Sequence, residues 1–116
     1  MPTTNKNQDY PVYVLWIDTL DWILNCMDRY PRSVRYSVSS RISNYALEIL
    51  DLIVEAIYTR ERKALLAGIN LRLEKLRVFF HLSLKRRYIS QGQYQYVTQA
   101  INSAGAMIGG WSKATP

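Results

Sequence analysis

The stretch LAGINLRLEKLRVFF, residues 66–80, decides the fold because its apolar side chains recur with the period of an α-helix. The residues of this apolar face are Leu66, Ile69, Leu73, Leu76 and Phe80. Successive members are three, four, three and four positions apart, which keeps them in one line along a helix surface. The stretch therefore predicts a helix that buries this face against neighbouring helices.

Further helical segments are predicted on both sides of this stretch, separated by short breaks. Tyr30 precedes Pro31, and a residue before proline is pushed out of the α region, so a helix ends there. Ser90 and Gln93 match a capping box, which marks a helix start. The predicted helices span about 11–29, 35–59, 61–87 and 90–111. Because short breaks make consecutive helices pack antiparallel, we expect an all-α, antiparallel up-down four-helix bundle.

The bundle is predicted to form a single domain over residues 10–112. A chain of 116 residues suits one hydrophobic core, since domains most often have about 100–150 residues. The polar residues 1–9 are predicted to be a disordered N-terminal tail, and residues 113–116 a frayed C-terminus.

The second and third predicted helices each carry another apolar stripe, opposite the face that the bundle buries. The six stripe residues are Leu47, Val54, Tyr58, Leu71, Val78 and Leu82. A helix that is apolar on two sides is normally buried on both, and exposed apolar patches usually mark protein contacts. These stripes are therefore predicted to be the interface of a homo-oligomer. Isolated surface leucines are common, so a monomer is the alternative.

The whole chain has a net charge of +6, and its positive charge is concentrated in the second half. Residues 1–58 carry five Lys and Arg against seven Asp and Glu, whereas residues 59–116 carry ten against two. Such asymmetry predicts a surface for nucleic acid or an acidic partner. The predicted binding residues are Arg62, Lys63, Arg72, Lys75, Arg77, Lys85, Arg86 and Arg87. Stabilisation of a helix C-terminus is the alternative explanation of the last three.

No arrangement of residues predicts catalysis, a metal site or a cofactor. Cys26 is the only cysteine and His81 the only histidine, which excludes a thiolate zinc site and a two-histidine metal site. The acids Glu48, Asp51 and Glu55 lie along one helix face, where a solvated flank explains them better than general acid–base catalysis in a cleft. The chain is therefore predicted to be non-enzymatic.

No segment predicts contact with a membrane. No apolar run approaches the ~20 residues that a membrane-spanning helix needs, and the polar N-terminus lacks the features of a signal peptide. The sequence predicts no membrane partner and a cytoplasmic location.

An ordered set of short segments resembles the accessory variability determinant (Avd) family of diversity-generating retroelements. The segments are RISNYALEIL at 41–50, LEKLR at 73–77, SQGQY at 90–94 and IGGW at 108–111. The resemblance covers about residues 10–112. The same bundle is similar to the proteins encoded in ribosomal-RNA intervening sequences, which are the closest alternative family.

The resemblance implies a function that spacing and composition do not show. Avd proteins are four-helix bundles that form ring-like homopentamers with a positively charged surface. They bind the element's reverse transcriptase and its template-repeat RNA, free or in an RNA/DNA hybrid, and support mutagenic reverse transcription. An intervening-sequence type of protein would instead be an oligomeric interaction module without a reverse transcriptase partner. His81 and Ala106 stand where the resemblance leads us to expect basic residues.

Overall fold

The computed structural model describes residues 6–116, and four long helices make up most of them. They are α1 (Pro11–Met27), α2 (Ser40–Ile57), α3 (Lys63–Lys85) and α4 (Gln91–Ala114). Shorter helical turns occupy Lys6–Asp9, Arg32–Val34 and Arg35–Ser39, the last of them a π-helical turn that leads into α2. Within this described range there is no strand.

The four helices pack as an antiparallel up-down bundle, in agreement with the predicted architecture. Each helix lies against its neighbours in the chain, and α1 closes the bundle against α4. The α1–α2 and α3–α4 connections therefore lie at the same end of the bundle, and the α2–α3 connection lies at the opposite end. Over residues 6–116, no helix combines the length and the apolar character that crossing a bilayer requires.

The core consists of the apolar faces that the helical periodicity predicted. All five residues of the α3 face are at most 1% exposed. Trp16 of α1 is completely buried, and its indole Nε1–H donates a hydrogen bond of 2.9 Å to the carbonyl oxygen of Ala46 in α2. This bond satisfies the polar atom of the largest core side chain and fixes α1 against α2 at one height.

The ends of the helices differ from the predicted limits. The predicted second helix is π-helical over residues 35–39 and becomes α-helical only from Ser40. The last helix continues past the predicted end at 111 to Ala114, and the Thr115 hydroxyl donates to the Trp111 carbonyl oxygen at 2.9 Å. Of the predicted N-terminal tail, residues 6–9 form a helical turn, while residues 1–5 lie outside the described residues.

Candidate nucleic-acid interface

The eight basic residues predicted to bind do not form one patch. Arg62 and Lys63 precede or begin α3, whereas Lys85, Arg86 and Arg87 lie at its other end. A helix of this length separates its two ends by about 35 Å. The predicted site therefore falls into three groups, one at each end of α3 and one in the middle.

The middle group is largely engaged with the protein itself. The Arg72 guanidinium lies 2.8 Å from a Glu48 carboxylate oxygen and donates to the Gly68 carbonyl oxygen at 3.0 Å. Arg77 donates to Asn102 on α4 at 3.0 Å and to Glu74 at 3.1 Å. These arginines join α3 to α2 and α4, so their first role is in packing rather than in binding a phosphate.

The structure brings four other arginines to the end of the bundle that holds Lys85, Arg86 and Arg87. They are Arg29, Arg32, Arg35 and Arg41, which lie in or beside the α1–α2 connection. All seven side chains are exposed. We call this set of seven residues the basic end.

Two tyrosines connect the halves of the basic end. The rings of Tyr30, after α1, and Tyr88, after α3, lie 5.4 Å apart. The Arg86 guanidinium lies 5.9 Å from the centre of the Tyr88 ring and donates to its hydroxyl at 3.3 Å. The two basic connections are therefore parts of one continuous surface.

The charge of the basic end is not balanced by neighbouring acids. Asp28 is the only acid in residues 28–41 and 85–91. Across the part of the chain that the structure describes, the ion pairs are those of Arg72 and Arg77, and neither belongs to the basic end. Uncompensated cations that share one surface produce a positive potential that attracts polyanions.

The positions of Arg32 and Arg35 are unfavourable for helix stability. Both lie in the turns that begin the helical segment leading into α2, where the helix dipole is positive. A cation at this end of a helix lowers the stability by about as much as it would raise it at the C-terminal end, typically about 0.3–1 kcal/mol. Folding alone therefore does not explain these arginines.

Arg87 is also placed at some cost in stability. Its φ of 63° is left-handed, in the position after a helix where glycine is usual. The Tyr88 N–H donates to the Ser83 carbonyl oxygen at 2.8 Å, and the Arg87 N–H to that of Leu84 at 3.0 Å. These two bonds form a Schellman motif. An arginine kept in this conformation points to a use for its charge.

We expect Arg87→Gly to stabilise the protein by about 1 kcal/mol, since glycine has no Cβ to strain in the left-handed region. Urea unfolding measures the change. Arg87→Gln, which removes the charge and keeps the strain, is the control and should leave stability near that of the wild type. If Arg87→Gly were less stable than the wild type, the left-handed conformation of Arg87 would not be strained.

Tyr30 lies beneath this surface, and its side chain is only 7% exposed. Burial raises the pKa of its hydroxyl well above the usual value of 10, although the neighbouring Ser83 hydroxyl offsets part of the rise. The side chain therefore stays neutral in the folded protein at pH values at which the unfolded chain would ionise. Because the folded state then retains a proton that the unfolded state loses, this group makes stability fall as the pH rises above about 10.

The free energy of unfolding should decrease less between about pH 9.5 and 11.5 in Tyr30→Phe than in the wild type, since the buried hydroxyl contributes a slope that rises to about 1.4 kcal/mol per pH unit once the unfolded chain is ionised. Urea unfolding at the two pH values measures the slope. Equal slopes for Tyr30→Phe and wild type would show that the hydroxyl ionises in the folded protein.

The second apolar stripes lie on the outside of the bundle. Five of their six residues are 40–61% exposed, namely Leu47, Tyr58, Leu71, Val78 and Leu82, and Val54 is half-buried. The Arg72–Glu48 pair joins α2 and α3 between the two stripes, so they form two separate surfaces rather than one. Exposed apolar residues are also found on α1, the neighbour of α2, where Val14 and Ile17 are 43% and 39% exposed.

The groups that could support other chemistry are few in the described structure. Cys26 is buried, and burial raises the pKa of its thiol, which makes it a core side chain rather than a nucleophile. Over residues 6–116, no group of three or more His, Cys, Asp or Glu residues is arranged to hold a metal ion.

Comparison with known proteins assigns most of the chain to one family. A family model described as bAvd-like matches residues 16–115. The match includes the α1–α2 and α3–α4 connections, which form the basic end. Neither the comparison with curated proteins nor the comparison with solved structures found a match.

Proposed function

Because the chain belongs to the bAvd-like family, the accessory variability determinants of diversity-generating retroelements, we propose that it binds the element's template-repeat RNA and its reverse transcriptase together. The basic end is the proposed contact with RNA, free or in an RNA/DNA hybrid. The protein makes and breaks no bonds in this proposal. It supports mutagenic reverse transcription by holding the RNA where the polymerase can copy it.

The observation that carries the RNA contact is the set of arginines at the start of α2. Arg32 and Arg35 lie where cations oppose the helix dipole, and no acid in the described structure forms an ion pair with either of them or with Arg41. Phosphate groups would remove both penalties. Arginine is also suited to phosphate because its planar guanidinium donates two parallel hydrogen bonds.

We also propose that the chain assembles into a ring, for which the homopentamer of the family is the expected form. The α1–α2 surface combines exposed Val14, Ile17 and Leu47 with exposed acids, whereas the outer face of α3 combines Leu71 and Val78 with Lys75. The acids are Asp18, Asp21, Asp51 and Glu55. Two different, complementary faces favour head-to-tail contacts, which close into rings when the rotation permits.

Ring assembly would strengthen the proposed RNA contact. Cyclic symmetry keeps equivalent points of all subunits at the same height along the ring axis. Each basic end would therefore lie on the same side of the ring, and its seven cations would be repeated once per subunit. A continuous band of positive charge of this kind suits a long RNA better than separate patches do.

Co-purification tests the proposal. The tagged chain is expressed with the element's reverse transcriptase and its template-repeat RNA, and we expect both to be retained on the tag. A variant with Arg32, Arg35 and Arg41 changed to glutamine should lose RNA, while ribonuclease treatment of the wild-type complex should leave the polymerase bound. Retention of neither partner by the wild-type chain would overturn the proposal.

An oligomeric protein-interaction module of the intervening-sequence type is the second candidate. The exposed apolar stripes favour it, since such patches usually contact protein. Under this alternative the chain would assemble with itself but would not retain a reverse transcriptase, and RNA binding would be absent or insensitive to salt.

A further inference from the structure

A cavity of about 550 Å³ opens at the α1–α2 connection, inside the basic end. Six of its lining residues bear on what it could bind: Asp28, Arg32, Arg35, Tyr36, Ser43 and Asn44. Its volume falls in the range of about 300–1,000 Å³ typical of pockets for small ligands. Its lining is largely polar, so an apolar ligand does not suit it.

We infer that this cavity receives one unpaired base of single-stranded RNA, stacked on Tyr36. The inference rests on the proposed function, because it names the kind of RNA that the basic end would hold. A base in a duplex is paired and stacked and cannot enter a cavity, whereas the bases of single strands can be splayed out and bound individually.

Tyr36 is the first support for a base. Its side chain is 89% exposed, and within residues 6–116 it takes part in no ring contact and no hydrogen bond. Packing therefore does not explain an aromatic residue at this position. Aromatic side chains on single-strand-binding proteins provide platforms on which bases stack.

The local backbone supports the same use of the cavity. Tyr36 lies in the π-helical turn Arg35–Ser39. Such turns are rare and occur frequently at functional sites. Arg35 and Tyr36 both line the cavity, so that a phosphate on the guanidinium and a base on the ring would belong to one nucleotide or to adjacent ones.

The cavity wall offers groups for the edge of a base. Ser43 and Asn44 are part of the lining, and neither makes a side-chain hydrogen bond elsewhere in the described structure. The asparagine amide both donates and accepts, and the serine hydroxyl does the same. The Asp28 carboxylate accepts hydrogen bonds and repels phosphate, so it suits a base amino group and not the backbone of the RNA.

Fluorescence anisotropy with two labelled probes tests the inference, one a short single-stranded RNA and the other an RNA duplex of the same length. The wild type should bind the single strand at least about 10-fold more tightly. Tyr36→Ala should weaken single-strand binding by about 10-fold and leave duplex binding unchanged, while Tyr36→Phe should retain the wild-type affinity. Met107→Ala, at an exposed residue of α4 that lies towards the opposite end of the bundle and in neither stripe, is the control and should change neither.

A second readout reports stacking directly. A single strand carrying 2-aminopurine should lose fluorescence on binding to the wild type and to Tyr36→Phe, and much less on binding to Tyr36→Ala. Equal affinity for the two probes, or quenching that persists in Tyr36→Ala, would overturn the inference and leave the proposed function standing. Binding of neither probe by the wild type would overturn both.

Discussion

Replacing Arg32, Arg35 and Arg41 together by glutamine is expected to weaken RNA binding on the order of 100-fold at low salt, without loss of stability. Each arginine that neutralises a phosphate of a single strand contributes about 0.7 to the slope of log affinity against log salt. The variant's slope should therefore be smaller by about 2. Anisotropy titrations across a salt series measure both quantities.

The same substitution should leave the free energy of unfolding unchanged or raise it, since it removes cations from the positive end of a helix dipole. Simultaneous gain of stability and loss of binding is typical of residues kept for function. The matched control changes Arg60, Lys63 and Lys113 to glutamine, an equal loss of charge at the other end of the bundle. If the control weakened RNA binding as much as the test variant does, net charge alone would be responsible.

Changing Leu71 and Val78 together to glutamate is expected to convert the assembled protein into monomers that keep their helical content. Both side chains are more than half exposed in the isolated chain, so the substitution leaves the core of the bundle intact. In an assembly it would place charges in an apolar contact, where an unpaired charge is strongly disfavoured. Light scattering coupled to size exclusion measures the mass, and circular dichroism the helix content.

Met107→Glu provides the control for this change, because Met107 is a 38% exposed apolar residue on α4 and belongs to neither stripe. It should leave the assembled mass unchanged. A wild-type chain that is monomeric at micromolar concentration would contradict the proposed assembly. A double variant that retains the wild-type mass would show that the outer face of α3 is not the contact.

The bundle could be predicted from the sequence because helical periodicity is a local property. The spacing of Leu66, Ile69 and Leu73 identifies a buried face without knowledge of any other helix, and the structure buries that face completely. The capping box is local as well, and both of its hydrogen bonds, between Ser90 and Gln93, are present. Local patterns of this kind gave the helices and their order.

The basic end could not be found in the same way because its two parts are remote in sequence. The net charge of residues 1–58 is negative, because acids that lie along α1 and α2 outnumber the basic residues. This sum conceals the four arginines between 29 and 41. Only the antiparallel packing brings these arginines to Lys85–Arg87. A local signal did exist, since residues 29–41 contain four arginines and no acid.

The middle of α3 shows the opposite limitation. Arg72 has no helix end to explain its charge, and the sequence therefore predicts a ligand for it. The structure places Glu48 of α2 beside it at 2.8 Å, in a groove that Gly68 leaves open for the guanidinium. Such a partner depends on the relative rotation of two helices, which periodicity alone does not determine.

Photo-crosslinking of bound single-stranded RNA, followed by identification of the attached peptides, tests most directly whether the basic end is the RNA-binding surface. We expect the crosslinked residues to lie within 28–44 and 85–96, with Tyr36 and Tyr88 among them. Crosslinks confined to the opposite end, around residues 58–64 and 111–116, would show that the basic end is not the RNA-binding surface.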